Sequence, residues 1–258
     1  MELGLNGKIL EGIRSLYTDV QCAVKVNDFI SPWFPVNSGV KQGCCTLFSV
    51  YVNDLAKEIN QLGCGVNVDN SIISILLYAD DIALIAPDEH SLQQMLNSVN
   101  VWCMQWRLVI NQGNTKVVHF RGPSVSRSEC TFAYGPSDIM FVDFYRYLGL
   151  WLNEHLNLKQ TVKELTKSAS RALSALYTHF ITSGGFSFEV FTKLYQSLVE
   201  PVLFYGAGVW NVTNFKEVQT VQNKACRLFL GGSKCAANVA LRGHGLDILL
   251  CDRQSGSI

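Results

Sequence analysis

Asp80 and Asp81 place two carboxylates side by side between two short apolar runs, residues 72–78 (IISILLY) and 82–86 (IALIA). Runs of that length, rich in Ile and Leu, read as buried strands, and so short a spacer makes a β-hairpin with the acids at its tip. Aspartate tolerates the positive φ that such turns demand, so the pair is expected to supply the turn conformation itself. No Lys or Arg occurs between Glu58 and Trp106, so the neighbouring sequence offers the acids no cation. Like charges that are partly desolvated and unpaired are costly, which leaves three outcomes: full exposure to water, a raised pKa, or a bound divalent cation. The hard oxygen donors suit Mg2+ (or Mn2+), which takes one or two protein carboxylates and completes its shell with water and substrate phosphates.

A second pattern is basic. Lys159, Lys163, Lys167 and Arg171 recur every four residues on one expected helix, each step advancing about 40° around the axis. They form a gently winding stripe that can track phosphates with salt-sensitive affinity, or else simply solvate one helix face.

Several elements must position these residues. Ile9, Leu10, Ile13, Leu16 and Tyr17 predict a helix over 7–19, followed by an alternating strand over 20–27. Residues 29–40 contain Pro32, Pro35 and Gly39, and read as a turn with a short extended return. A helix is expected over 46–62. The strongest helix spans 90–110, with Leu92, Met95, Leu96, Val99, Trp102, Cys103 and Trp106 in one apolar stripe. Residues 111–114 read as a turn and 115–121 as a strand, giving an antiparallel sheet with helices on one face, an α+β layer. Residues 122–137 are rich in Ser, Gly and Pro and read as a linker, and 141–152 as a strand pair hinged at Gly149. Helices follow at about 158–181, 187–200 and 214–230, and the remaining residues have weak periodicity.

The bulk properties bound the function. The chain is 48% hydrophobic and 16% charged, which is a globular and not a disordered composition. Its net charge of zero argues against a strong free-standing affinity for nucleic acid. Residues 1–122 nevertheless carry 8 Lys/Arg against 11 Asp/Glu, a net −3, and residues 123–258 carry 13 against 10, a net +3. Nine irregularly spaced cysteines, with no signal-like apolar run in residues 1–20, suggest buried thiols in a reducing, intracellular compartment (nucleus or cytoplasm) and not secretion. Cys226, Cys235, His244 and Cys251 match no compact zinc module. No apolar stretch reaches the roughly 18 residues that span a bilayer.

Tyr78-Ala79-Asp80-Asp81 between apolar strands is the hallmark of reverse transcriptases, and residues 6–250 resemble the polymerase region of a non-LTR (LINE-type) retrotransposon reverse transcriptase. Residues 36–44 (VNSGVKQGC) and 47–55 (LFSVYVNDL) resemble the run into, and the body of, the family's template- and nucleotide-contacting helix. Asn111 with Thr115-Lys116 resembles the strand after the palm helix, and Tyr147-Leu148-Gly149 the hairpin that grips the primer end. Lys193-Leu194-Tyr195, Pro201-Val202-Leu203, Tyr205-Gly206 and Val209-Trp210 resemble the helical region beyond it. The resemblance implies a partial palm over 1–122, a linker and primer-grip-like hairpin over 123–157, a helical thumb-like region over 158–232 and a poorly structured tail over 233–258. It implies RNA-directed DNA polymerisation by two-metal nucleotidyl transfer, with RNA template, DNA primer and dNTP as partners. Asp80 and Asp81 would ligate metal, and Gln42, Gly43, Tyr78 and Ala79 would meet nucleotide and template. Oligomeric state is not legible.

Three departures weaken the implied activity. The resemblance puts the family's other metal-binding Asp on a strand upstream of this segment, together with the fingers strands and their basic triphosphate contacts; Asp19, which follows a helix and precedes the strand over 20–27, does not match it. Gln42-Gly43-Cys44-Cys45 runs directly into Thr46-Leu47-Phe48 where the family has a Leu-Ser-Pro; three residues of helix are about 4.5 Å and a rotation of about 60°. Asn114 stands where a Lys is usual. The expectation is therefore a reverse transcriptase fragment that is inactive alone. The alternative is a catalytically silent retroelement remnant that at most binds nucleic acid or protein.

Overall fold

The computed structural model describes residues 7–36, 45–210 and 216–230. The chain divides into two units, residues 1–109 with 133–137, and residues 110–132 with 138–258. Gln42, Gly43, Cys235, His244, Cys251 and the expected tail lie outside the described residues.

In the first unit the amphipathic pattern of residues 7–19 yields α1 (Gly7–Tyr17), although none of its residues is buried. The alternating stretch that follows is not one strand. It is β1 (Gln21–Cys22) and β2 (Lys25–Val26), which pair with β4 (Phe34–Pro35) and β3 (Phe29–Ile30) respectively. The interruption has a local cause: the Ser31 hydroxyl accepts from the Val24 amide at 2.9 Å, taking the place of a ladder carbonyl.

The expected helix over 46–62 is bent into α2 (Cys45–Tyr51) and α3 (Asn53–Gln61). Bonds from Val52 N–H to the Phe48 carbonyl and from Ala56 N–H to the Val52 carbonyl span the break, so the chain kinks without unwinding. The two hairpins that follow are β5 (Val66–Val68) with β6 (Ser71–Ile73), and β7 (Ile75–Tyr78) with β8 (Asp81–Leu84). The apolar run 72–78 is thus split at Ser74, whose carbonyl accepts from the Ile85 amide. The last helix of this unit is α4 (Glu89–Trp106), entered through Asp88, whose side chain accepts from the Ser91 amide, and ended by Arg107 at φ 56°. Its stripe buries Met95, Leu96, Val99, Trp102 and Cys103, while Leu55 and Ile59 are fully buried on α3, which packs beside it. Trp106 closes the stripe half-exposed, its ring 5.3 Å from that of Tyr51.

In the second unit, residues 115–121 are not a strand. Among them Val117 alone forms a bridge, parallel, to Phe141. The stretch read as linker contains β9 (Phe132–Tyr134), and β10 (Ser137–Ile139) begins at its end; the two pair through a turn in which Gly135 takes φ 59°, residues 133–137 being counted with the first unit. The strand pair at 141–152 is β11 (Phe144–Tyr147) with β12 (Leu150–Asn153). Five helices follow: α5 (Lys159–Thr182), α6 (Phe188–Leu198), α7 (Glu200–Leu203), α8 (Ala207–Trp210) and α9 (Lys216–Leu230). Ala169, Leu173 and Leu176 of α5 pack with Phe191, Tyr195, Val199, Leu203, Val221 and Ala225 into one apolar core. The architecture is therefore mixed helix with small antiparallel sheets. Each of the six sheets among the described residues has two strands, so the single helix-backed sheet expected from the pattern is not formed there. Cys103 and Cys226 are buried as expected, but Cys22 and Cys130 are exposed.

An ion network closes the base of the β11–β12 hairpin. Glu154, nearly buried, receives Arg121 at 3.0 Å and Arg127, and Arg127 also binds Asp143. His155 Nδ1 meets the Arg121 carbonyl at 3.0 Å. Arg127 first, then Arg121, holds the Glu154 carboxyl below its usual range. Its folded pKa is depressed, so its stabilisation is present above the ordinary value of about 4.3 and is lost as pH falls through the folded value. The urea midpoint is expected to fall between about pH 5 and pH 3, and Glu154→Gln to flatten that slope while lowering the midpoint at neutral pH. A Glu154→Gln slope equal to wild type would show that the network does not carry the acid sensitivity.

Candidate functional site

Tyr78, Ala79, Asp80 and Asp81 form the end of the β7–β8 hairpin in the first unit. Tyr78 and Asp81 are cross-strand partners, so Ala79 and Asp80 are the two loop residues. Ile75 and Leu77 on one face of β7 are half-buried, and α3 lies against that strand. Leu76 and Tyr78 point to the other face, which is open; Tyr78 is 64% exposed. Cross-strand partners share a face, so Asp81 stands with Tyr78 on the open side. The expectation of fully buried strands is thus corrected to strands covered on one face.

The turn conformation also differs from expectation. Ala79 takes the positive φ, 49°, and Asp80 does not. A positive φ at the first loop position alone is the signature of a type II′ turn, which ordinarily takes Gly there. Alanine in the left-handed region costs about 1–2 kcal/mol. The strain thus sits beneath the acids and leaves Asp80 in ordinary backbone. Both aspartates are exposed, and neither has an ion pair or side-chain hydrogen bond among the described residues. Both carboxylates are open to water. Two accessible carboxylates with free oxygen donors fit a Mg2+ or Mn2+ ion that brings its remaining ligands with it. No third His, Cys, Asp or Glu joins them among the described residues.

The remaining candidates are in the second unit. Tyr147 and Leu150 are cross-strand partners, leaving Leu148 and Gly149 as a two-residue loop at φ 46° and 85°. Lys159, Lys163, Lys167 and Arg171 are all exposed on α5, on the side away from its buried Val162, Thr166, Ala169 and Leu173. None of the four pairs with a carboxylate among the described residues; Arg171 bonds the Ser168 hydroxyl. The Thr161 hydroxyl of α5 bonds both the amide and the carbonyl of Trp151, tying helix to hairpin. At the position where a Lys was expected, the Asn114 carbonyl accepts from the Tyr145 hydroxyl at 2.9 Å.

The family model for reverse transcriptase (RNA-dependent DNA polymerase) matches residues 8–152, a span that holds the Asp80–Asp81 tip and the Tyr147–Gly149 turn. The chain belongs to the reverse transcriptase family. It is 23% identical over 239 residues to the RNA-directed DNA polymerase from mobile element jockey of Drosophila funebris, covering 88% of this chain and 25% of that protein. The jockey polymerase of Drosophila melanogaster is 22% identical over 236 residues, with 85% and 25% covered. An uncharacterised transposon-derived protein of Caenorhabditis elegans is 31% identical over 145 residues, with 55% and 50% covered. The chain thus spans about a quarter of the length of the two jockey relatives. The non-LTR resemblance drawn from ordered motifs along the chain agrees with these retrotransposon relatives. Among the described residues no helix is long and apolar enough to cross a membrane.

Sequence reasoning passed over Thr161 and the Arg121–Arg127–Asp143–Glu154 network. Two arginines flanking a Ser- and Pro-rich stretch were the available signal, but their acidic partners lie up to 33 residues away in sequence, beyond any local pattern. The left-handed Ala79 gives a direct test of the tip. Ala79→Gly is expected to raise stability by about 1 kcal/mol, and Ala79→Val to lower it by at least as much, because a β-branched residue resists positive φ. Equal unfolding midpoints for the two variants would refute the strained turn.

Proposed function

We propose that the chain is the palm and thumb portion of a reverse transcriptase that holds an RNA template and a DNA primer, and that these 258 residues do not polymerise by themselves. The observation that carries the reading is the tip: Tyr78-Ala79-Asp80-Asp81 stands on an exposed two-residue turn inside the family-matched span, with both acids unpaired. The names of the jockey relatives, RNA-directed DNA polymerases, support the template assignment.

In this reading residues 1–122 are palm, 123–157 linker and primer-grip-like hairpin, and 158–232 thumb, followed by the tail at 233–258. Asp80 and Asp81 hold Mg2+ or Mn2+, which when bound lowers the pKa of the primer 3′-hydroxyl and neutralises the triphosphate of the incoming dNTP. Ala79 leaves room for the primer end, and Tyr78 flanks it. Gln42 and Gly43 meet nucleotide and template, Gly43 allowing close backbone approach. Tyr147, Leu148 and Gly149 grip the primer terminus, and Lys159, Lys163, Lys167 and Arg171 follow the phosphate backbone.

Incompleteness follows from three features. Two carboxylates give part of the charge stabilisation that a two-metal transfer rests on. The three-residue shortening between Cys45 and Leu47 is absorbed by the loop before the helix or shifts a wall of the nucleotide pocket, and Asn114 cannot donate a proton to pyrophosphate as a Lys can.

Two measurements test this. The purified chain, given poly(rA) with an oligo(dT) primer, dTTP and Mg2+ or Mn2+, is expected to yield no extension; extended primer overturns the claim of incompleteness. Binding of an RNA–DNA duplex is expected to weaken with salt, and Lys159→Gln, Lys163→Gln and Lys167→Gln together to reduce the log–log slope by about 2–3. Salt-independent binding, or none, would rule out the stripe as a phosphate track.

A further inference from the structure

The turn at Leu148-Gly149 has positive φ at both loop positions, the signature of a type I′ hairpin. That turn favours Asn or Asp at its first position, because a short polar side chain can bond locally in the left-handed region. Leucine has no such recourse. A left-handed leucine persists only where the surroundings over-determine it.

Tyr205 and Gly206 supply the surroundings. The Tyr205 hydroxyl donates to the Leu148 carbonyl at 2.9 Å. The same ring covers Gly149: a Cβ there would lie 3.1 Å from Tyr205 Cε1. Gly206, at φ 65°, lies so close to Leu150 that a Cβ would sit 2.8 Å from Leu150 Cδ1. Tyr205 is itself pinned, since the indole N–H of the buried Trp210 donates to its carbonyl at 2.8 Å. The turn is therefore clasped at its apex by the segment between α7 and α8, while Thr161 fixes the following strand to α5. Two separate ties join the turn to the helices, one of which carries the basic stripe.

We propose that Tyr205 is a positioning residue for the primer terminus: its hydroxyl and ring hold the Leu148–Gly149 turn in the shape that receives the last primer nucleotide. This rests on the reading of that turn as a primer grip. Tyr205 touches no reacting atom and acts through the turn.

The test uses the 258-residue chain with Tyr205→Phe, which removes one hydroxyl and keeps the ring against Gly149. Three quantities are read: the thermal midpoint, hydrogen exchange across 144–153, and the fluorescence of 2-aminopurine placed at the primer 3′ end or at an internal position of an RNA–DNA duplex. For wild type, binding is expected to change the terminal probe and leave the internal one unaltered. For Tyr205→Phe, the fold and the salt-dependent duplex affinity are retained and exchange across the hairpin quickens up to about tenfold, the loss of one hydrogen bond. The terminal signal is lost. If wild type itself shows no terminal signal, the primer-grip reading fails and the inference falls with it. If wild type shows the signal and Tyr205→Phe keeps it in full, the grip stands and the positioning role of Tyr205 is overturned.

Discussion

A two-residue loop matches the right-handed twist of a strand pair best when the backbone takes positive φ at its first position, and both candidate sites are built on that constraint. At 78–81 the residue that enters it is Ala79, and at 147–150 it is Leu148. Neither is the glycine or asparagine that would do so at little cost. Each hairpin thus stores strain at the point where its candidate residues emerge, and each needs a support to keep it. The tight loop is also what brings the candidate residues to an apex. A longer connection would leave Asp80 and Asp81, or the Leu148–Gly149 backbone, on a segment with more freedom to move.

The two supports are built differently. The β7–β8 hairpin rests on α3 through Ile75 and Leu77, an apolar and non-directional contact that leaves the other face bare. The β11–β12 hairpin is held by directional bonds: Tyr205 at the turn, Thr161 along the strand, and Glu154 between two arginines at the base. Apolar support tolerates small displacements, whereas a set of hydrogen bonds with fixed donors tolerates few. On this reasoning the second hairpin is the more sharply defined of the two.

What could be read from the sequence follows from the range of the interactions involved. Helices α4, α5 and α6 were legible because an apolar stripe at 3.6-residue spacing is a local signal, and the core residues of α4 are those of its stripe. Both hairpin tips were legible as short motifs. The strand expected at 115–121 failed because alternation states only that a segment could pair; Val117 found one parallel bridge to Phe141 and no ladder. The run at 72–78 failed as one strand because a buried Ser74 redirects the chain, and nothing local distinguishes it from a strand residue. Tyr205 is legible only as part of a Tyr-Gly pair, and its bond to Leu148 spans 57 residues. Interactions of that span leave no periodic trace in a single sequence.

Charge placement binds the site argument together. Between Glu58 and Trp106 there is no Lys or Arg, and the folded first unit brings none to Asp80 or Asp81 among the described residues. A structural carboxylate in this chain looks different: Glu154 is nearly buried and is met by two arginines, which hold its pKa down. The chain can therefore pair an acid where an acid is wanted for stability. At the hairpin tip it exposes two acids on a strained turn with no counter-charge among the described residues, and four exposed basic residues without a carboxylate partner lie along α5. Leaving both charge sets unsatisfied gains nothing for folding. In the proposed reading the missing counter-charges are divalent cations for the acids and phosphates for the bases.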